Sequence, residues 1–316
     1  MLFIYKKVAL QINAIESLDL ETDSTLLIAS EFQARGYHVY YYKPSDLFWK
    51  DDHLFAYVIA LSIGKQRYKK LTIKMLLPLR NFDFILIRQN PPFDEQYLST
   101  TYLLETVSAV FFINHPQAIR NVPEKLSILQ FSNLIPETIV CHSLDHSKTF
   151  MCKHPIFIAK PLYSCGGDGV IKIRAYKSQD IVILKNMFLK YRFLMLQEFL
   201  PIVTSDGDKR VIIIDNVIIG AVQRIPKKRD FRANSILGGA IHRTSLGAQE
   251  KQISVIIANF LKSKNILFTG LDLLGGKLIE INVTSPTCLQ ALNKIIKVKS
   301  EVFIVDCIEK RITRKF

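Results

Sequence analysis

The chain has 316 residues, 49% hydrophobic and 22% charged, enough apolar content for packed cores and too much for wholesale disorder. Its formal net charge is +14, but the basic residues are dispersed apart from short runs at Lys65 to Lys70 and Lys227 to Arg229. That excess suits small anionic substrates and is weak evidence for nucleic acid. No apolar run reaches the roughly 18 residues of a membrane span. The N-terminus lacks the order of a signal peptide, and five scattered cysteines without a C-x-x-C argue against a disulfide framework and a zinc site. A cytoplasmic protein without nucleic-acid or membrane partners is the expectation.

Along the chain, Lys7 to Ile12 reads as a strand. Ser24 to Arg35 reads as a helix capped by Asp23 and stopped by Gly36. Tyr37 to Tyr42 and the almost wholly apolar Phe84 to Arg88 follow as strands, then Thr100 to Val110 as a helix and Val110 to Ile113 as a strand. This βαβ series predicts a small open parallel sheet over residues 1–121. Beyond it, Pro123-Glu124-Lys125 is expected to open a helix. Strands at Ile156 to Lys160, Val170 to Ile173, Met195 to Glu198, Arg210 to Ile214 and Val217 to Arg224 then dominate. Asp215-Asn216 turns the last two into a hairpin, and a helix runs from Gln249 to Lys262. The fold class is therefore α/β followed by α+β.

Three stretches carry chemistry. In Lys160-Pro161-Leu162-Tyr163-Ser164-Cys165-Gly166-Gly167-Asp168-Gly169-Val170, a lysine closes an apolar strand and a glycine-rich loop returns the chain to another. It is neither a Walker loop nor a dinucleotide fingerprint, yet its backbone N–H groups can approach phosphate oxygens. Asp206-Gly207-Asp208-Lys209-Arg210 places opposite charges at the mouth of a strand, with Arg224, Arg232 and Asn234 beyond. Fixed cations near a metal would suit phosphoryl transfer.

The third stretch, Gly270 to Pro286, reads as two strands around Gly275-Gly276. Alternation puts Glu280 and Asn282 on one face and Ile279, Ile281 and Val283 on the other. Asp272 joins the polar face only if the glycine turn is irregular, because a plain two-residue turn sets it on the wrong side. Two carboxylates and an amide then form an all-oxygen site for a hard cation such as Mg²⁺. Taken alone, a hairpin whose polar face meets water explains the same alternation.

The order of these pieces resembles the ATP-grasp ligases, and within them the bacterial glutathione synthetases. The resemblance rests on Arg88 with Pro91-Pro92-Phe93-Asp94, on Glu124-Lys125-Leu126, on Asp206 to Val211, and on Glu280-Ile281-Asn282-Val283-Thr284-Ser285-Pro286-Thr287-Cys288. It implies an N-terminal unit over 1–121 and an ATP-grasp unit over 122–316, with lobes 122–203 and 204–316. It implies a cytoplasmic ligase, expected as a homotetramer, that joins γ-glutamylcysteine to glycine through an acyl phosphate formed from ATP. By the resemblance, Asp272, Glu280 and Asn282 would hold two Mg²⁺ or Mn²⁺ ions. Lys125 and Lys160 would contact the nucleotide, and Gly166 and Gly167 would close over its phosphates. Gln197, Glu198, Phe199 and Leu200 would meet adenine, with Asp208 on the ribose side. Arg210, Arg224, Arg232 and Asn234 would face the transferring phosphoryl group and the dipeptide, with Arg88, Ser285 and Thr287 beside the latter. Lys227 to Ile241 and the glycine loop are the candidate lids.

The chain departs from the family pattern at Ser164-Cys165, where Gly-Met is usual, which would put Ser164 in a backbone state that favours glycine. Gln89-Asn90 replace Lys-Asp, Ala240-Ile241-His242 replace Arg-Gly-Glu, and Asn13-Ala14 replace an early Asp-Pro. Another ATP-grasp carboxylate–amine ligase and a non-catalytic basic binding protein are the alternative readings.

Overall fold

A computed structural model describes residues 6–64, 67–227, 230–233 and 239–313. The first sheet contains β1 (Lys7–Gln11), β2 (His38–Tyr42), β3 (Leu47–Lys50), β4 (His53–Ile63), β5 (Tyr68–Lys70), β6 (Met75–Pro78), β7 (Phe84–Ile87) and β8 (Phe111–Ile113). β2, β1, β7 and β8 run parallel, as their nearly continuous apolar runs require for a sheet buried on both faces. The purely parallel expectation is corrected at one edge. The long β4, an apolar run that alternates between buried and half-buried positions, pairs antiparallel with β2 and gathers β3, β5 and β6 around itself.

Helix α1 (Ser24–Ala34) starts where Asp23 Oδ1 accepts from Leu26 N at 2.7 Å. Helix α2 spans Glu95–Glu105 rather than Thr100 to Val110, because Asp94 caps it from Tyr97 N at 2.9 Å. A short α3 (Pro116–Asn121) follows.

The expected helix at Pro123 is a turn leading into a 3₁₀ segment, Ser127–Leu134. The reason is tertiary: the Glu124 carbonyl accepts from Ile281 N at 3.1 Å, which takes it out of any helical ladder. A second sheet follows in the order β11-β10-β12-β9, all antiparallel. Its strands are β9 (Thr138–Cys141), β10 (Ile156–Pro161), β11 (Ile171–Arg174) and β12 (Leu194–Glu198). Helices α4 (Leu144–Lys153) and α5 (Ser178–Tyr191), which the strand-rich reading passed over, bury Phe150, Leu184 and Phe188 against Phe157 and Leu196. α4 is capped by Ser143 and carries His146, with His142 just before the cap.

The third sheet runs β15-β14-β13-β16-β17. Its strands are β13 (Asp208–Ile214), β14 (Val217–Ile225), β15 (Ala240–Arg243), β16 (Phe268–Leu274) and β17 (Lys277–Asn282). A short α6 (Val203–Asp206) leads into β13, and α7 (Ala248–Ser263) precedes β16. Val211 and Ile213 face a core that contains Ile253, Ile257 and Leu261 of α7. Ile212 and Ile214 face the opposite core, shared with β1, β2 and α1 and closed by α8 (Leu289–Ile296) and α9 (Ser300–Thr313).

Two polar ties join this sheet to the first. Asn114 Nδ2 donates to the carbonyls of Phe268 and Val283 at 2.7 and 2.8 Å, while its Oδ1 accepts from Leu267 N and Phe268 N at 2.9 Å each. Arg35 reaches from α1 to Asp306 and Glu309 of α9 at 2.8 and 2.6 Å.

Candidate active site

Register builds a line of charge across one face of the third sheet, two arginine–aspartate pairs followed by a second carboxylate. Arg224 lies opposite Asp208, and Arg210 lies opposite Asp272, which in turn lies opposite Glu280. Asp208 and Arg210 are two residues apart on β13, so all five share a face. The same face continues into the apolar Ile212 and Ile214.

Arg210 grips Asp272 through Nε and Nη2 at 2.5 and 3.0 Å. Arg224 holds Asp208 through Nε and Nη2 at 2.7 and 2.6 Å, and its Nη2 also lies 3.0 Å from Asp272. Although burial works against the charge of Asp272, the two guanidiniums hold its carboxyl far below the usual carboxylate range. The strands approach closely at Gly207, where an added Cβ would stand 1.9 Å from the Arg224 carbonyl oxygen.

Asp272 reaches the polar face by a route different from the expected one. The Gly275-Gly276 turn is regular: Leu274 pairs with Lys277, and both glycines have positive φ, 56° and 74°. The irregularity lies beyond it, where Leu273 pairs with Leu278 but Asp272 pairs with Glu280. Ile279 is thus the extra residue of a bulge. This also corrects the facing of Ile279, which lines the cleft with Glu280 and Asn282 while Ile281 and Val283 enter the core. Asn282 Nδ2 donates to the Gly270 carbonyl at 3.1 Å and to Asp272 at 3.3 Å, which leaves its carbonyl oxygen as an acceptor.

The opposite wall comes from the second sheet and the segment before it. Lys125 Nζ stands 3.0 Å from Glu280 and donates to the Ser164 carbonyl at 2.5 Å. Burial disfavours its charge, yet Glu280 and Glu124 outweigh that and raise its pKa. Lys160 donates to Gln197 Oε1 at 2.6 Å, and Gln197 is itself fixed on Thr138 at 2.9 Å. Burial pushes the Lys160 ammonium down to about 8.

In the glycine loop, the positive φ values fall on Gly166, Gly167 and Gly169, while Ser164 is not among the positive-φ residues, contrary to the strain expected there. Burial pushes the Cys165 thiol up, and its Sγ lies 3.5 Å from the Pro91 carbonyl, which fits a filler and not a reactive thiolate.

These groups line an open cleft between the two sheets. It brings together Lys125, Lys160, Gly166, Gly167, Gln197, Glu198, Phe199, Leu200 and Asp208 with Arg210, Arg224, Arg232, Asp272, Glu280 and Asn282. Arg232 is paired with its neighbour Asp230 at 2.9 Å. Asn234 and much of the candidate lid lie outside the described residues.

Arg88, Ser285 and Thr287 line a second cavity of about 1610 Å³, with Asn13 and Asn90. There Ser285 donates to Asn90 at 2.7 Å, and Asn13 accepts from Asn90 N at 2.7 Å. Arg88 is held by Thr25 and the Pro286 carbonyl at 3.0 and 2.7 Å. Burial pushes its guanidinium down to about 10.

Sequence reasoning missed the apolar lining: Ile158, Val170, Phe231, Leu274 and Ile279. Ile158 was legible, since it stands two residues before Lys160 on the same strand face. It also missed Glu124, whose Oε1 accepts from Val283 N, Thr284 N and Thr284 Oγ1 at 2.8, 3.0 and 2.9 Å.

The chain is similar to known proteins. Residues 7–120 match the family described as prokaryotic glutathione synthetase, N-terminal domain, and residues 124–297 match its ATP-grasp domain. Glutathione synthetase of Rhodopseudomonas palustris is 36% identical over 296 residues, covering 92% of this chain and 93% of the relative. Glutathione synthetase of Escherichia coli K12 is 32% identical over 317 residues, covering 98% and 99%. Among solved structures, D-cycloserine synthetase superposes with a TM-score of 0.69 at 13% identity, covering 96% of this chain and 99% of that one. D-alanyl-alanine synthetase A of Vibrio cholerae gives 0.65 at 12% identity, covering 98% of each. Those two identities speak for the fold alone, which is the ATP-grasp fold. Sheet, cleft and sequence together make the chain an ATP-dependent carbon–nitrogen ligase, and it belongs to the prokaryotic glutathione synthetase family.

Proposed function

We propose that this chain joins γ-glutamylcysteine to glycine in the cytoplasm as a homotetramer, with ATP and two Mg²⁺ or Mn²⁺ ions. In this reading residues 1–121 form the N-terminal unit, and 122–203 and 204–316 the two lobes around the nucleotide. The observation that carries it is the charge line ending in Asp272, Glu280 and Asn282, set across the cleft from Lys125 and Lys160.

The donors fit a hard cation: two carboxylates and an amide carbonyl, without His or Cys. Arg224 Nη1 is buried without a hydrogen-bond partner among the described residues, a group that an anionic substrate would satisfy. Asp272, Glu280 and Asn282 would hold the ions, which when bound neutralise charge on the nucleotide phosphates.

Lys125 and Lys160 would contact the phosphates from the other wall, with the N–H groups of Gly166 and Gly167 closing over them. Glu198 to Leu200 would offer backbone groups to adenine between the apolar side chains of Ile158, Phe199 and Ile279. Asp208, assigned to the ribose side, also fixes Arg224, and Asp272 fixes Arg210, so both guanidiniums are preorganised toward the phosphoryl group. Arg88, Ser285 and Thr287 would bind the dipeptide, and Arg232 would approach it from the cleft side; a role for Asn234 toward the same substrate rests on the family resemblance alone.

The dipeptide's C-terminal carboxylate oxygen attacks the γ-phosphorus and ADP leaves. The glycine nitrogen then attacks the acyl carbon, phosphate departs, and the amine proton passes to solvent. No nucleophilic side chain is required, only positioning and charge neutralisation.

ADP release with γ-glutamylcysteine and glycine, compared with other carboxylate–amine pairs, tests the substrates. Turnover with another pair but not this one would overturn the assignment. Glu280→Gln should abolish turnover with the circular dichroism spectrum unchanged, and surviving activity would remove the metal reading.

A further inference from the structure

Glu124 stands between the nucleotide cleft and a neighbouring cavity walled by Phe93, Leu162 and Tyr163, and it borders both. Its carboxylate Oε1 gathers three donors from the segment just past β17: Val283 N, Thr284 N and Thr284 Oγ1. Its backbone carbonyl takes a fourth, Ile281 N at 3.1 Å. One residue therefore fastens the stretch that carries Lys125 to the strand that carries Glu280 and Asn282. The fastening begins one residue after Glu280 and passes on both sides of Asn282, since the donors are Ile281, Val283 and Thr284. Lys125 itself bridges Glu280 and the glycine loop through the Ser164 carbonyl. The next residues along, Ser285 and Thr287, line the cavity of Arg88.

We propose that Glu124 is a positioning residue that sets Lys125 against β17, so that the phosphate lysine, the metal-bearing strand and the start of the dipeptide cavity move as one piece. This rests on the functional reading above for the identity of those parts. The anchoring is done by acceptor geometry, since a carboxylate oxygen or an amide oxygen can both receive the bonds and an alanine can receive none; the charge of Glu124 acts separately, helping Glu280 to keep Lys125 protonated. Removing the acceptor leaves two backbone N–H groups and a buried hydroxyl without their partner, and it frees Lys125 to leave the line joining Glu280 to the loop.

The test is a double-mutant cycle read on turnover and on the Mg²⁺ activation constant. Glu124→Ala should lower kcat and weaken Mg²⁺ activation about 10- to 100-fold, the range seen when a group supporting a ligand is lost. Glu124→Gln should restore both to within about twofold. Because Glu124 sets Lys125 against β17, the two losses should overlap: adding Glu124→Ala to Lys125→Ala should slow turnover by clearly less than Glu124→Ala slows the parent.

Penalties that multiply, or a Glu124→Ala enzyme matching the parent while Lys125→Ala is crippled, would overturn the proposal. A purely structural role would lower the melting temperature and leave the Mg²⁺ constant untouched at temperatures well below it. If Glu124→Ala does not fold, Thr284→Val removes one of the three bonds and should move the Mg²⁺ constant in the same direction; no movement sinks the idea. Should the parent protein not turn over γ-glutamylcysteine and glycine, the functional reading fails by itself. The same cycle read on Mg·ADP affinity by calorimetry then still decides the role of Glu124.

Discussion

Lys160 is a buried ammonium whose one hydrogen-bonding side-chain partner among the described residues is neutral, Gln197. Desolvation brings its pKa to about 8, against about 10.4 for a free lysine. The sign of the consequence follows directly. Below pH 8 the group is protonated before any nucleotide arrives, and a phosphate meets a ready charge. As pH rises through 8, binding must first recover a proton, so ATP affinity should fall with a slope approaching tenfold per unit. Calorimetry of nucleotide binding on both sides of pH 8 checks this, and a flat profile would contradict it. At this scale the sequence showed Lys160, Arg210, Arg224, Asp272 and Glu280 on strands, and Lys125, which lies in a turn, through its motif. It did not show what fixes them. Glu124 is a polar residue in a turn until Thr284, 160 positions away, closes on it.

The β16–β17 hairpin shows how an element can be legible in facing and illegible in detail. Alternation gave Glu280 and Asn282 a common face, and the need for an offset to include Asp272 was visible too. Where the offset falls depends on Leu273 meeting Leu278 and on Ile279 finding an apolar wall across the cleft, both tertiary facts. The helices α4 and α5 were illegible for a related reason: they flank short strands whose alternation dominated the reading. Deleting Ile279 should leave Asp272 opposite Glu280, since the extra residue alone is removed. Turnover should therefore keep its Mg²⁺ dependence, while the KM for ATP rises from loss of an apolar wall. Collapse of Mg²⁺ activation instead would show that the bend of the bulge, not the pairing, aims the carboxylates.

For the whole molecule, the core on the far side of β13 is decisive. Val8, Leu10, Phe32 and Val39 pack in the same cluster as Ile212, Leu289, Ile304 and Ile308. The charge pair of Arg35 with Glu309 and the Asn114 bonds to Phe268 and Val283 tie the same partners. The first sheet and the third should therefore melt together, giving a single calorimetric transition whose van't Hoff and calorimetric enthalpies agree. Two separated transitions would show that the shared core is energetically minor. The packing of α9 on α1 also imposes an order on biosynthesis. Arg35 meets its partner Glu309 only 274 positions later, so a nascent chain leaving the ribosome carries β1, α1 and β2 with one apolar flank uncovered until those 274 residues have followed. The apolar residues that finish that flank emerge long after the early strands, which must be kept from other chains until they do.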